Sequence, residues 1–262
     1  GIFLEFRFLV HNNDLRLLLA QNVTKLKKVE DVRRDFIANV SHELRTPLTV
    51  IKGYVETLQD TDDGASTFLT DSFSRMAQQT SRMEGLVEDL LLLARLECKP
   101  DEDIESLELL DSIDVSEVLA RLCLSGDGID TLHSRLNLSL QSGLKIRGKA
   151  KDLESVFTNM IVNAMKYSDE DSKIDISWKV VSSGVKFEVQ DYGDGIAEEH
   201  IPRLTERFYR VDVGRSREKG GTGLGLAIVK HVLANHDSKL IITSKVGEGS
   251  RFSCIFPRSR CC

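Results

Sequence analysis

Two long stretches of the chain repeat their apolar residues every three or four positions. Phe36, Val40, Leu44, Pro47, Ile51, Tyr54 and Leu58 make the first stripe, and Met76, Thr80, Met83, Val87, Leu90 and Ala94 the second. That spacing puts each set on one face of an α-helix. The first helix is expected from Thr24 to Leu58, and TDDGAS, rich in turn formers, separates it from the second. Two long amphipathic helices joined by a short loop predict an antiparallel hairpin. Such a hairpin has too little core to stand alone. Pairing with a second copy into a four-helix bundle would cover both stripes, and packing onto the rest of the chain is the alternative.

Residues 1–24 read GIFLEFRFLV, a polar HNND, then LRLLLAQNV, which predicts two strands joined by a turn. Two strands cannot bury a core. The segment is therefore the end of a domain that starts upstream, or a loose chain end. Residues 98–112 carry six acids and Pro100 and read as a linker. From about 113 onward both periods occur. Helices are expected at Val115–Leu124, Asp152–Tyr167 and Gly223–Asn235. Strand alternation is expected at Leu136–Leu140, Leu144–Ile146, Ile174–Val180, Val185–Gln190 and Phe252–Phe256. Helices mixed with mainly antiparallel strands predict a two-layer α/β sandwich, so the fold class is α+β: a helical hairpin followed by a sandwich.

Composition adds exclusions. The 35 Lys and Arg against 41 Asp and Glu leave a net charge of −6, which argues against broad binding to nucleic acid. The five cysteines form no CxxC pair, so neither a zinc scaffold nor a disulfide framework is expected. No run approaches the roughly 18–20 apolar residues that span a bilayer. The chain opens on Gly1 rather than Met, so it is expected to be a piece of a longer protein.

Four places could carry chemistry. Ser41-His42-Glu43-Leu44-Arg45-Thr46-Pro47-Leu48 sets His42 beside the apolar stripe, with Glu43 next to it and Thr46 one turn on. Pro47 removes a donor and should kink the helix there. Asn159, Asn163 and Lys166 form a second row on the helix Asp152–Tyr167, a set suited to a phosphate and a hard cation such as Mg²⁺. Asp191-Tyr192-Gly193-Asp194-Gly195-Ile196 puts a carboxylate at a strand end with glycines that let backbone approach a flat ligand. Gly220-Gly221-Thr222-Gly223-Leu224-Gly225-Leu226 leads into a helix, and glycine-rich backbone at a helix N-terminus binds anions. It is not a dinucleotide fingerprint, because no strand precedes it. Between the last two sites, Arg203–Asp212 reads as a loop over a nucleotide or as an amphipathic helix.

In this order the segments resemble the bacterial two-component sensor histidine kinases, over about residues 30–258. SHELRTPL resembles the H box, NMIVNAMKY the N box, DYGDGI the G1 box, RFYRVD the F box and GGTGLGL the G2 box. Tyr192 departs from the Asn common there. The resemblance implies a dimerisation and histidine-phosphotransfer hairpin joined to a Bergerat-type ATP-binding sandwich, and it implies roles. His42 would accept the γ-phosphoryl group of ATP with Glu43 as base, and Thr46 would orient a water in dephosphorylating the regulator. Asp191 would read the adenine amino group and Tyr167 would lie against the base. Asn163 would hold Mg²⁺. Asn159, Lys166, Arg210, Thr222 and the backbone of Gly221, Gly223, Leu224 and Gly225 would meet phosphates. Gly193, Gly195, Ile196 and Phe208 belong to the same nucleotide-binding set.

The implied domains are 1–24, the end of a PAS-like sensor domain; 25–97, signalling helix and phosphotransfer hairpin; 98–112, linker; and 113–262, ATP binding. The implied partners are a second copy and a response regulator. The implied setting is the cytoplasmic portion of a membrane-anchored bacterial protein. Two rivals carry different chemistry. An ATPase of the same superfamily would form no acid-labile phosphoprotein, and a dimerising scaffold with a dead site would gain no thermal stability from nucleotide.

Overall fold

The computed structural model describes residues 2–11, 15–59, 66–97, 111–124, 135–211 and 221–262. The chain divides into two compact units, Gly1–Met83 and Glu84–Cys262, with the boundary inside a helix.

In the first unit, β1 (Leu4–His11) and β2 (Leu15–Asn22) pair antiparallel, Leu4 opposite Asn22 and His11 opposite Leu15. The expected turn between them lies outside the described residues. Helix α1 (Thr24–Gln59) runs through Pro47 as one continuous element. Every residue of its predicted stripe is half-buried or buried, Pro47 included, while His42 is exposed. Helix α2 spans Ser66–Glu97, ten residues earlier at its start than the stripe alone indicated. Its covered row is Ser72, Met76, Gln79, Met83, Leu86, Leu90 and Leu93. Thr80, Val87 and Ala94, expected inside, are exposed. Most of TDDGAS and of the expected linker lies outside the described residues.

The second unit holds a five-stranded sheet in the order β4 (Leu136–Leu140), β6 (Ile174–Val181), β7 (Gly184–Asp191), β9 (Gly249–Pro257), β8 (Ile241–Lys245). The β4–β6 pair is parallel and the other three are antiparallel. A separate ribbon pairs β3 (Asp111–Asp114) with β5 (Lys145–Gly148). Asp111 and Ser112, read above as linker, are thus the first residues of a strand, held by backbone pairing that side-chain pattern does not report. Helices α3 (Val115–Leu124), α4 (Ala150–Lys166) and α5 (Gly225–Asn235) complete the unit, with α4 packed against both α5 and β7.

The core forms where α4 meets the sheet. Leu153, Val156, Phe157, Met160, Ile161 and Ala164 of α4 are buried, as their spacing predicted. Phe157 meets Phe187 and Trp178 edge-on at 4.7 and 6.4 Å, and Trp178 meets Phe256 at 6.1 Å. Each side chain so buried is worth about 1.5–3 kcal/mol, with roughly 0.5–1.5 kcal/mol more for an aromatic pair. This cluster fixes α4 rigidly over β7. The Asn159–Asn163–Lys166 row on one element and Asp191 at the end of the other thereby acquire a set relation.

Candidate nucleotide site and phosphoacceptor helix

In α1, His42 is exposed and Glu43 is not beside it in function alone: its Oε2 accepts from Arg82 Nη2 of α2 at 3.4 Å. The sequence pattern contained no signal for this pair, because it joins two helices. The Thr46 hydroxyl donates to the carbonyl of His42 at 3.2 Å. Thr49, Thr57 and Thr80 make the same bond four residues back, so it is the ordinary resting bond of a helical threonine rather than a device of the Pro47 turn.

In the second unit, Asp191 ends β7 at 2 % exposure. Its Oδ1 accepts from two backbone N–H groups, of Gly193 and of Ser250, each at 3.0 Å. Burial pushes the carboxyl above the ordinary aspartate range, and the backbone donors pull the other way. Ser250 sits on β9. It is part of a small hydroxyl relay in which the Ser244 hydroxyl accepts from the Ile196 N–H at 2.7 Å, donates to the Gly249 carbonyl and meets the Ser250 hydroxyl, the last two at 2.9 Å. Neither serine was singled out from sequence; β8 shows too little alternation to be found, and its pairing with β9 is what brings Ser244 and Ser250 to the site. Gly195 has φ +69°, and a Cβ there would lie 2.0 Å from the Lys245 carbonyl, so only glycine makes this turn.

The glycine-rich loop lies against α4. Tyr167, half-exposed at the end of α4, places its hydroxyl near Gly221, and the Arg210 guanidinium is on the same side. Phe208 holds a left-handed φ of +62° and donates its N–H to the Gly223 carbonyl at 2.9 Å. A residue other than glycine in that region is strained and persists only where its surroundings enforce it. Of the expected loop or amphipathic helix at Arg203–Asp212, the described part is no α-helix: a 3-10 turn at Glu198–Arg203 leads into irregular backbone through Val211, and Asp212 lies outside the described residues. Tyr209 is held there by His200, 2.7 Å from its hydroxyl, and by Arg203, 4.1 Å above its ring. The Leu224 N–H donates to the Thr222 hydroxyl at 3.3 Å, and α5 starts at Gly225 with no side chain capping its first N–H groups. Asn159 donates to the Ser155 carbonyl at 2.9 Å, which turns its amide oxygen toward Gly225.

One side of α4 and the loop ahead of α5 thus gather two amides, an amine, a guanidinium, a hydroxyl and a helix N-terminus. That donor set fits phosphate groups, and the half-buried Asn163 amide offers a hard oxygen of the kind Mg²⁺ takes. The structure brings Asn159, Asn163, Lys166, Tyr167, Asp191, Gly193, Gly195, Ile196, Phe208, Arg210, Gly221, Thr222, Gly223, Leu224 and Gly225 into this one unit; His42, Glu43 and Thr46 belong to the other.

Comparison with known proteins agrees with this arrangement. Residues 148–260 match the family described as histidine kinase-, DNA gyrase B-, and HSP90-like ATPase, and residues 32–99 match the His Kinase A (phospho-acceptor) domain. A phosphoacceptor hairpin followed by this ATPase sandwich defines the class, and the chain belongs to the two-component sensor histidine kinases. Within that class it is similar to the phosphate regulon sensor protein PhoR of Pseudomonas aeruginosa, 41 % identical over 97 % of this chain and 56 % of that protein. PhoR of Haemophilus influenzae is 38 % identical over 98 % of this chain and 59 % of that protein. The chain spans a little over half the length of these curated relatives. Among solved structures, the histidine kinase AdeS of Acinetobacter baumannii overlays with a TM-score of 0.64 at 25 % identity, over 84 % of this chain and 98 % of that one.

Proposed function

We propose that this chain is the signalling core of a PhoR-like sensor kinase: it transfers the γ-phosphoryl group of ATP to His42, then to an aspartate of a response regulator. The carrying observation is the buried Asp191 carboxylate, held by Gly193 and Ser250 and facing the same unit as the glycine-rich head of α5. Both bonds fall on Oδ1, which leaves Oδ2 to accept from an exocyclic amine such as adenine's. Tyr167 flanks the base. Asn159, Lys166, Arg210, Thr222 and the N-terminus of α5 take the phosphates. A divalent cation, held by Asn163, would neutralise charge on the phosphate oxygens. Transfer needs mainly in-line positioning and charge neutralisation, which these groups supply. An imidazole nitrogen of His42 forms the new N–P bond as ADP leaves, and Glu43 relieves the ring of its proton once it exchanges its bond to Arg82.

By the same reading residues 1–24 end a PAS-like domain, 25–97 are the signalling helix and phosphotransfer hairpin, the segment from 98 up to the start of β3 at Asp111 links them to the ATP-binding domain, and the hairpin pairs with a second copy. The whole protein is anchored in a bacterial inner membrane with this portion in the cytoplasm, although no helix among the described residues is long and apolar enough to cross one. The similarity to PhoR supports phosphate-starvation signalling through a PhoB-like regulator.

Incubation with labelled ATP and Mg²⁺, followed by phosphosite mapping, tests the central step. An acid-labile, alkali-stable phosphate is expected on His42, and His42→Gln should bind ATP normally and take up none. Undiminished labelling of that variant would sink the assignment. The phosphatase half has its own test. Thr46→Ala should keep autophosphorylation within a few-fold and lose most decay of the phosphorylated regulator, while Glu43→Ala should lose the kinase step. A hydroxyl can orient a water but cannot act as base near neutral pH. Equal loss of both activities in Thr46→Ala would reduce Thr46 to its helix bond with the His42 carbonyl.

A further inference from the structure

The last turns of α2 fold with the sandwich, and three of their charged side chains engage it. Arg95 Nη2 reaches Asp152 Oδ1 in the first turn of α4 at 2.6 Å. Glu97 pairs with Arg207, and its Oε1 lies 3.6 Å from His231 Nε2. Two turns before Glu97, Asp89 Oδ2 accepts from the Thr222 hydroxyl at 3.2 Å. The first two pairs lie outside the glycine-rich loop. The third lies in it.

Thr222 stands between Gly221 and Gly223, and Lys166 is close enough to Asp89 to attract its carboxylate. Burial pushes the Asp89 carboxyl above the ordinary aspartate range, the Thr222 bond opposes that, Glu88 adds to it, and Lys166 again opposes it. A carboxylate here is an anion bonded to one of the groups assigned above to phosphate, Thr222, and within the field of a second, Lys166. A hydroxyl has one proton to donate, so Thr222 cannot donate it to Asp89 and to a phosphate oxygen together. An ammonium ion can face two anions, but those anions repel each other at close range.

Resting on the nucleotide-site reading, we propose that Asp89 is a built-in competitor for the nucleotide's phosphates: its carboxylate and the phosphate groups contend for the Thr222 hydroxyl and for the field of Lys166, so the end of α2 lowers nucleotide affinity. The Arg95–Asp152 and Glu97–Arg207 pairs hold that segment where Asp89 meets Thr222. Release of the segment strengthens nucleotide binding; its docking weakens it. This ties the helix that continues from the phosphoacceptor hairpin to nucleotide affinity through one side chain.

The test is calorimetric titration of the whole chain with Mg²⁺ and the non-hydrolysable analogue AMPPNP, and separately with adenosine. Asp89→Asn and Asp89→Ala should bind AMPPNP roughly three- to tenfold tighter, the size of one partly screened like-charge contact. Adenosine affinity should not change, because it has no phosphate. Arg95→Gln combined with Glu97→Gln should also tighten AMPPNP binding, but not on top of Asp89→Ala, since the pairs act through Asp89. Unchanged or weaker AMPPNP binding in both Asp89 variants, with the native chain binding normally, overturns the proposal and leaves the site reading intact. An equal gain for adenosine overturns it too, because Asp89 would then block the whole cleft. A native chain that binds neither ligand overturns both readings. Thermal melting of each variant confirms that folded protein is compared.

Discussion

Asp191, proposed above to read the adenine amino group, shows what a buried carboxylate costs the fold. A carboxylate at 2 % exposure carries a desolvation cost, which two backbone bonds, both on Oδ1, offset only in part. Burial raises its folded pKa, so the folded state holds the proton more tightly than the unfolded chain does. The sign follows: the group costs no stability at pH below both pKa values, and stability falls as pH rises from the unfolded toward the folded value. Asp191→Asn removes that charge and keeps an oxygen for the Gly193 and Ser250 donors. It should therefore melt no lower than the native chain at neutral pH and flatten the decline just above the ordinary aspartate pKa. It should also lose nucleotide binding, because an amide N–H faces the adenine amino group where an acceptor is needed. Melting curves across pH, with an ATP titration at pH 7, check both halves. Retained affinity would remove Asp191 from its assigned role. Glu43 gives the complementary lesson: its partner Arg82 is 39 positions away in sequence, so the pattern that singled out the acid could not find the cation.

At the scale of elements, the loop before α5 and the row on α4 are built as one piece. A Cβ on Gly225 would lie 2.2 Å from the Asn159 amide oxygen and 3.0 Å from its amide carbon. Gly225→Ala must therefore push Asn159 off its bond to Ser155 or shift the head of α5. The helix itself gains propensity from the change, by roughly 1 kcal/mol. The expected outcome is a melting temperature within a few degrees of the native value and ATP affinity weakened by roughly tenfold or more, as misplacement of phosphate ligands predicts. Calorimetry beside a thermal melt separates the two. Strongly reduced stability with intact affinity would mean that the contact is packing alone. The α4 row was legible because a helix of period 3.6 displays its faces in sequence. The hydroxyls of Ser244 and Ser250 were not, because only the β8–β9 register joins them.

For the molecule as a whole, the exposed positions of α2 carry the assembly prediction. Phe73, Thr80, Val87 and Ala94 recur every seven residues and are exposed, Phe73 at 59 % and Val87 at 44 %. Such a row on a second helix face suits the two-neighbour packing of a four-helix bundle. Phe73→Glu and Val87→Glu should each weaken self-association at least tenfold in sedimentation equilibrium and leave helix content unchanged, since burying a charge opposite its own copy forfeits about 1.5–3 kcal/mol of apolar burial per side chain. A native chain that is monomeric at micromolar concentration, or variants that associate as tightly, would contradict the bundle.

The order of the helices and of every strand but β3 and β8, the α4 core face and the five motif segments were legible in the sequence itself, because each rests on local periodicity or on residue types packed within one short stretch. Tertiary structure alone decided the rest. It chose which of two apolar rows on α2 is covered, since both rows satisfy the helical period and only the neighbours' positions distinguish them. It converted Asp111–Ser112 into strand by pairing them with β5, and it held Phe208 at a left-handed φ against Gly223. It also set Asp89 against Thr222 across 133 positions of chain. Contacts at that separation depend on how whole elements pack, and no local pattern of hydrophobic and polar residues encodes them.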